Sequence, residues 1–156
     1  MVFIDYTQIM IQRIQSVFLL FVAIIAALLF IFPAEIYVSS TETIFYTLLP
    51  FGIKEGTSPI IYGLFATNIG LIILAIVSIF QYKNRKKQLK TSRLLMLLSA
   101  MQVSLMFVFS LYNKEGYTKD YTWAAYLPIG MIVFALLAGI FIKKDEELVR
   151  SADRIR

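Results

Sequence analysis

Val17-Phe18-Leu19-Leu20-Phe21-Val22-Ala23-Ile24-Ile25-Ala26-Ala27-Leu28-Leu29-Phe30-Ile31-Phe32 is a run of sixteen apolar residues without a break. It lies inside a longer stretch, Ile14–Ala34, that carries no charge. A helix rises about 1.5 Å per residue, so roughly 20 apolar residues cross the hydrocarbon core of a bilayer. Three more charge-free stretches of that kind follow: Gly56–Tyr82, Leu94–Asn113 and Tyr121–Ile142. The expected fold is an all-α membrane protein, a four-transmembrane-helix bundle forming one domain over residues 1–156. Its spans are expected near 14–33, 59–82, 94–112 and 122–142. The first stretch resembles a secretion signal in having a basic residue before an apolar core. Its core is longer than such signals use, and Phe32-Pro33-Ala34-Glu35 offers no small-x-small cleavage pattern, so the segment is expected to be retained.

Composition agrees. Apolar residues make up 59% of the chain and charged ones 16%, against about 25% charged in an average soluble domain. Position says more than the net charge of +5. Arg13 precedes the first span. Lys83, Arg85, Lys86, Lys87, Lys90 and Arg93 lie between the second and third, and Lys143, Lys144, Arg150, Arg154 and Arg156 follow the fourth. The other two connections hold only Lys54, Lys114 and Lys119. By the positive-inside rule the crowded side faces the cytoplasm. The expected location is thus a bacterial inner membrane, multi-pass, with both termini cytoplasmic.

The connections carry weaker signals. Residues 1–13 mix apolar and polar side chains without a period and read as a short tail or interfacial turn. Ile36-Tyr37-Val38 and Thr43–Leu49 are rich in β-branched and aromatic residues around Ser39-Ser40-Thr41-Glu42, which predicts a small external β-hairpin. Thr57-Ser58-Pro59 places a capping hydroxyl before a proline at the first position of helix two. Residues 83–93 read as a short polar loop. Tyr62, Tyr112, Tyr117, Tyr121, Trp123 and Tyr126 gather at the outer level as an aromatic belt. Pro128 requires helix four to start earlier, near Thr122, or to run on past the membrane. The i, i+4 pairs Lys143/Glu147 and Glu146/Arg150 favour a helical tail over 143–156.

Most membrane chemistry has no residues to use. The chain has no cysteine and no histidine, which removes disulfides, thiolate metal sites, the commonest metal ligand and the commonest general base. No span holds a carboxylate for proton coupling. Met96, Met101, Met106 and Met131 read as packing residues. No enzyme activity, cofactor or metal site is expected. Asn68 and Gln102 are the strong polar side chains deep in the spans. On neighbouring antiparallel helices they can satisfy each other, at roughly 0.5–2 kcal/mol, or form a polar contact for a ligand. Small-x-x-x-small pairs (Ala23/Ala27, Ala66/Gly70, Ala100/Ser104, Ala135/Gly139) suit close helix packing or a partner subunit.

Met10-Ile11-Gln12-Arg13-Ile14-Gln15-Ser16 opens the first span, and Phe141-Ile142-Lys143-Lys144-Asp145-Glu146-Glu147-Leu148-Val149-Arg150-Ser151-Ala152-Asp153-Arg154-Ile155-Arg156 closes the chain. With Phe51-Gly52-Ile53-Lys54 and four spans, these motifs resemble domain of unknown function 4293, a family of small four-helix inner-membrane proteins of the Bacteroidota. The resemblance covers about residues 10–156, leaves 1–9 as either a lineage extension or an upstream start choice, and implies no catalytic residue.

Two surfaces are expected to meet partners. Gln12, Arg13, Gln15, Lys143, Lys144, Asp145, Glu146, Arg150, Asp153 and Arg154 are expected to form a cytoplasmic contact surface, with Arg13 near Asp145 or Glu146. Lys83, Arg85, Lys86, Lys87, Lys90 and Arg93 are expected to contact anionic lipid. They lack the aromatic interleaving of a nucleic-acid site. The expected function is a non-enzymatic accessory or scaffold subunit of a larger inner-membrane assembly, of the protein-export or envelope-biogenesis kind. The alternative is a small transporter or lipid-handling protein with a polar site at Asn68 and Gln102.

Overall fold

A computed structural model describes residues 2–40, 42–48, 59–111 and 116–154, without the side chains of 2–13, 83 and 152–154. Four long helices, α1 (Val2–Ile31), α2 (Ile60–Phe80), α3 (Arg85–Ser110) and α4 (Leu127–Arg154), follow one another. All four are long and apolar enough to cross a membrane. Their contacts run α1–α2, α2–α3, α3–α4 and α1–α4, so the helices close a ring in chain order.

The inward face of every helix follows one rule. Buried positions are 15, 19, 22, 26 and 29 in α1, with Ile25 beside them, and 61, 64, 68, 71, 75 and 78 in α2, with Thr67 beside them. In α3 they are 88, 92, 95, 99, 102 and 109, and in α4 they are 128, 131, 135, 138, 142 and 145. Spacings of three and four alternate, which is the 3.5-residue period of helices packed at about 20° in a left-handed bundle. Leu19, Val22, Ala26, Leu29, Leu64, Leu71, Ala75, Leu95, Met131, Ala135 and Ala138 make the apolar core. The outward faces are just as apolar: Leu20, Ile73, Leu97, Phe107, Val133 and Ile140 are all exposed. Of the small-residue pairs, Ala135 is buried, whereas Ala27, Ala66, Ala100 and Ser104 face outward.

Several boundaries differ from the sequence expectation. Residues 2–13 continue α1 rather than forming a tail. Residues 85–93 are the first turns of α3, not a loop. Asn84 caps that helix through its side-chain oxygen, which accepts from the Lys87 N–H at 3.1 Å, and Lys, Arg, Gln and Leu are good helix formers. Only a 3₁₀ turn, Gln81–Lys83, separates α2 from α3. Pro59 stands at the cap of α2, one residue before the position expected; Thr57 and Ser58 lie outside the described residues. A 3₁₀ turn, Trp123–Tyr126, leads into α4, so Pro128 falls in the first turn, where its missing N–H costs nothing.

At the opposite end from Arg85, the expected hairpin forms from β1 (Glu35–Val38) and β2 (Thr43–Tyr46). A third strand, β3 (Thr118–Tyr121), joins on the other side of β1, with Glu35 opposite Tyr121 and Tyr37 opposite Lys119. A two-stranded ribbon is marginal by itself. Here the sheet is tied to the helices. The Thr122 N–H donates to the Ala34 carbonyl at 3.1 Å, Tyr46 packs on Phe109 at 5.8 Å and Phe32 on Trp123 at 4.8 Å.

Candidate functional site

The heptad stripe of α3 is polar for most of its length. Gln88, Ser92, Ser99 and Gln102 occupy inward positions, with Leu95 among them. Polar side chains of the other helices meet this stripe in two layers.

The layer nearest Arg85 draws one fully buried polar side chain from each helix: Gln15, Ser78, Gln88 and Asp145. Phe18 stacks on Phe141 at 5.4 Å across the antiparallel α1–α4 seam. One turn further along, that register brings Gln15 level with Asp145. From α3, Arg85 Nε reaches Asp145 Oδ2 at 2.6 Å, and Gln88 Nε2 donates to the Ser78 carbonyl at 3.0 Å. Both nitrogens and oxygens remain unmet in this layer: Gln15 Nε2 and Oε1, Asp145 Oδ1, Gln88 Oε1, Ser78 Oγ, and Ser92 Oγ one turn deeper. A buried donor or acceptor left so costs about 1–3 kcal/mol, and the fold keeps six of them together.

The second layer lies in the middle of the bundle. Asn68 and Gln102 are both fully buried there, but they do not bond each other. Asn68 Nδ2 donates to the Ala26 carbonyl at 2.8 Å. The Thr67 hydroxyl bonds Gln102 Oε1 and also its own helix, through the Gly63 carbonyl at 2.9 Å. The pairing expected from sequence is thus replaced by a link to α1 and a threonine of α2. Asn68 Oδ1 and Gln102 Nε2 are left over.

The sheet end carries a third charged group. Glu35 and Tyr37 alternate onto the inner face of β1, both nearly inaccessible. Lys119 Nζ lies 3.2 Å from Glu35 Oε2, about 5 Å above the rings of Tyr37 and Tyr121, and donates to the Ser110 carbonyl. Burial raises the Glu35 pKa against the opposing pull of Lys119 and Tyr37. Lys119 is drawn down by burial, yet Tyr37 and Glu35 outweigh that and hold it above the ordinary lysine value. Glu35 closes one end of a groove of about 320 Å³ between α3 and α4, walled by Met106, Phe107, Tyr126 and Ile129. Among the described residues no group of three or more His, Cys, Asp or Glu could hold a metal ion.

The residues expected at the surface divide. Lys86, Lys87, Lys90, Arg93, Lys143, Lys144 and Arg150 are exposed, and Lys143 pairs loosely with Glu147 at 3.7 Å. Glu146 is half-buried. Gln15 and Asp145 are not on a contact surface but inside the bundle, because the heptad period turns them inward. Arg85, rather than an α1 side chain, holds Asp145 in the bond described. The side chains of Gln12, Arg13, Lys83, Asp153 and Arg154, like all of Phe51-Gly52-Ile53-Lys54, lie outside what is described. The signal for the inner layers was available: stepping by three and four from Gln102 reaches Ser99, Leu95, Ser92 and Gln88.

A family profile described as Domain of unknown function (DUF4293) matches residues 11–155, and the chain belongs to that family. No curated protein and no solved structure matches it.

Proposed function

Since membership of the DUF4293 family brings no activity with it, we propose from the fold that the chain is a non-enzymatic accessory or scaffold subunit of a larger assembly in a bacterial inner membrane. Both termini are cytoplasmic in this reading, and the sheet lies outside. One observation carries it. α1 starts twelve residues before its charge-free stretch, at Val2 rather than Ile14. α4 runs twelve residues beyond Ile142, to Arg154. At 1.5 Å per residue each overshoot is about 18 Å. α1 and α4 are packed neighbours, and α3 starts at Arg85, level with Asp145, so the start of α1 and the end of α4 beyond Asp145 run on past the α2–α3 turn on one side. A four-helix bundle does not need such a projection to hold itself together; a docking partner would use it. The Arg85–Asp145 bond and buried Gln15 sit at its root and fix its direction.

The test is purification at native expression in mild detergent, then mass spectrometry, for the full chain and for one ending at Glu147. That truncation spares Asp145. A stoichiometric membrane partner is expected with the full chain and should be lost with the shortened one, while the thermal midpoint stays within a few degrees. A full chain that purifies without any protein partner sinks the reading. The second reading, lipid handling, is favoured by the 320 Å³ groove ending at Glu35; Asn68 and Gln102 do not line it.

A further inference from the structure

A second groove between α3 and α4, of about 200 Å³, opens near the Arg85 end. Leu89, Met96, Leu136 and Ile140 wall it, and the last two are largely exposed on the outward face. Its floor is different in kind. Gly139 offers no side chain, and a Cβ built there would sit 3.4 Å from Ser92 Oγ. Ser92 is among the lining residues; it is 1% exposed, and its buried hydroxyl has no hydrogen-bond partner. Arg93 and Lys143 stand at the rim.

Helix side chains tilt toward their own N-terminus. α3 and α4 run in opposite directions, so Arg93 and Lys143 lean toward each other. Asp145 is already bound to Arg85. Glu147 meets Lys143 only in an exposed i, i+4 pair at 3.7 Å, which is worth a few tenths of a kcal/mol. The rim is therefore positive, and exposed Lys86, Lys87 and Lys90 on the same turns of α3 add to its field.

We propose that this groove binds one anionic phospholipid, its phosphate held between Arg93 and Lys143 and an acyl chain lying along Leu89, Met96, Leu136 and Ile140. This inference rests on the helices crossing a membrane and not on the subunit reading; either can fail without the other.

Thermal unfolding of the full chain in a non-ionic detergent tests it, with added phosphatidylglycerol, phosphatidylcholine or inorganic phosphate. A ligand that binds only the folded state raises the midpoint progressively as its concentration exceeds its dissociation constant. Phosphatidylglycerol is expected to raise it, and the other two to leave it unchanged. The double variant Arg93→Gln/Lys143→Gln changes only exposed side chains, and its midpoint without lipid checks the fold. It should need roughly tenfold more phosphatidylglycerol for the same shift. Lys86→Gln/Lys87→Gln removes the same charge away from the groove lining and should lose clearly less than the groove variant. Equal losses in the two variants would mean diffuse attraction to a basic helix end and overturn the site. So would a shift produced by phosphate alone, an equal shift with phosphatidylcholine, or none with phosphatidylglycerol.

Discussion

Glu35 is the residue whose environment makes the clearest prediction. Its folded-state pKa is raised by burial above the ordinary 4.5, so the folded protein holds that proton more tightly than the unfolded chain. Its contribution to stability is full below about 4.5 and is lost as pH rises through the raised value. Acidifying towards pH 4.5 should therefore make the Glu35 contribution to the midpoint more favourable, and Glu35→Gln should flatten that slope. Trp123, the single tryptophan, packs on Phe32 beside the sheet and reports the change by fluorescence. Lys119 has the same sign at higher pH: its contribution is full below about 10.5 and is lost as pH rises through its raised value. Asn68 and Gln102 offer a second test. Gln102→Leu removes an unmet donor and leaves Thr67 its bond to the Gly63 carbonyl. It should change stability by less than about 1 kcal/mol, whereas Asn68→Ala loses a bond to α1 and opens a small gap, at about 1–2 kcal/mol. Thermal unfolding of the two in parallel gives the order.

At the scale of elements, the joint between α3 and α4 should respond asymmetrically. Asp145 is fully buried, while the Arg85 side chain is 23% exposed. Arg85→Ala strands a carboxylate in the bundle and should cost about 3–5 kcal/mol. Asp145→Ala leaves a guanidinium whose long stem can turn outward, and should cost about 1–2 kcal/mol. Replacing both by leucine should come close to neutral. Chemical denaturation of all three in one detergent decides between this and a simple loss of one ion pair, which would make the single variants equal. The helices were legible in sequence, but their ends were not. Hydropathy marks the part of a helix that lipid can accept, and α1 and α3 continue into polar residues that a helix tolerates equally well. β3 was invisible for another reason. Thr118-Lys119-Asp120-Tyr121 has no apolar alternation, and its partner strand lies some eighty residues earlier in the chain.

The whole molecule can be tested for orientation directly, because the chain has no cysteine. Thr118→Cys in the exposed sheet and Ser151→Cys in the exposed last turns of α4 lie at opposite ends. With both termini cytoplasmic, a membrane-impermeant maleimide should label the first in intact cells and the second only after permeabilisation. Labelling of Ser151→Cys in intact cells would reverse the topology.

The sequence by itself determined that four helices are long and apolar enough to cross a membrane, and it supplied the charge asymmetry from which an orientation is argued. Span length and charge are properties of single segments and need no neighbour to be read. Which face of each helix points inward was decided only in the tertiary structure. In water an inward face declares itself by being apolar, but lipid asks the outward face to be apolar as well, so the hydropathy contrast vanishes. What remains is the reverse signal: Asn68, Gln88, Gln102 and Asp145 lie inside, where each finds a hydrogen-bond or ion-pair partner that hydrocarbon does not offer. Residues that look like surface chemistry in the sequence thus become the joints of the bundle.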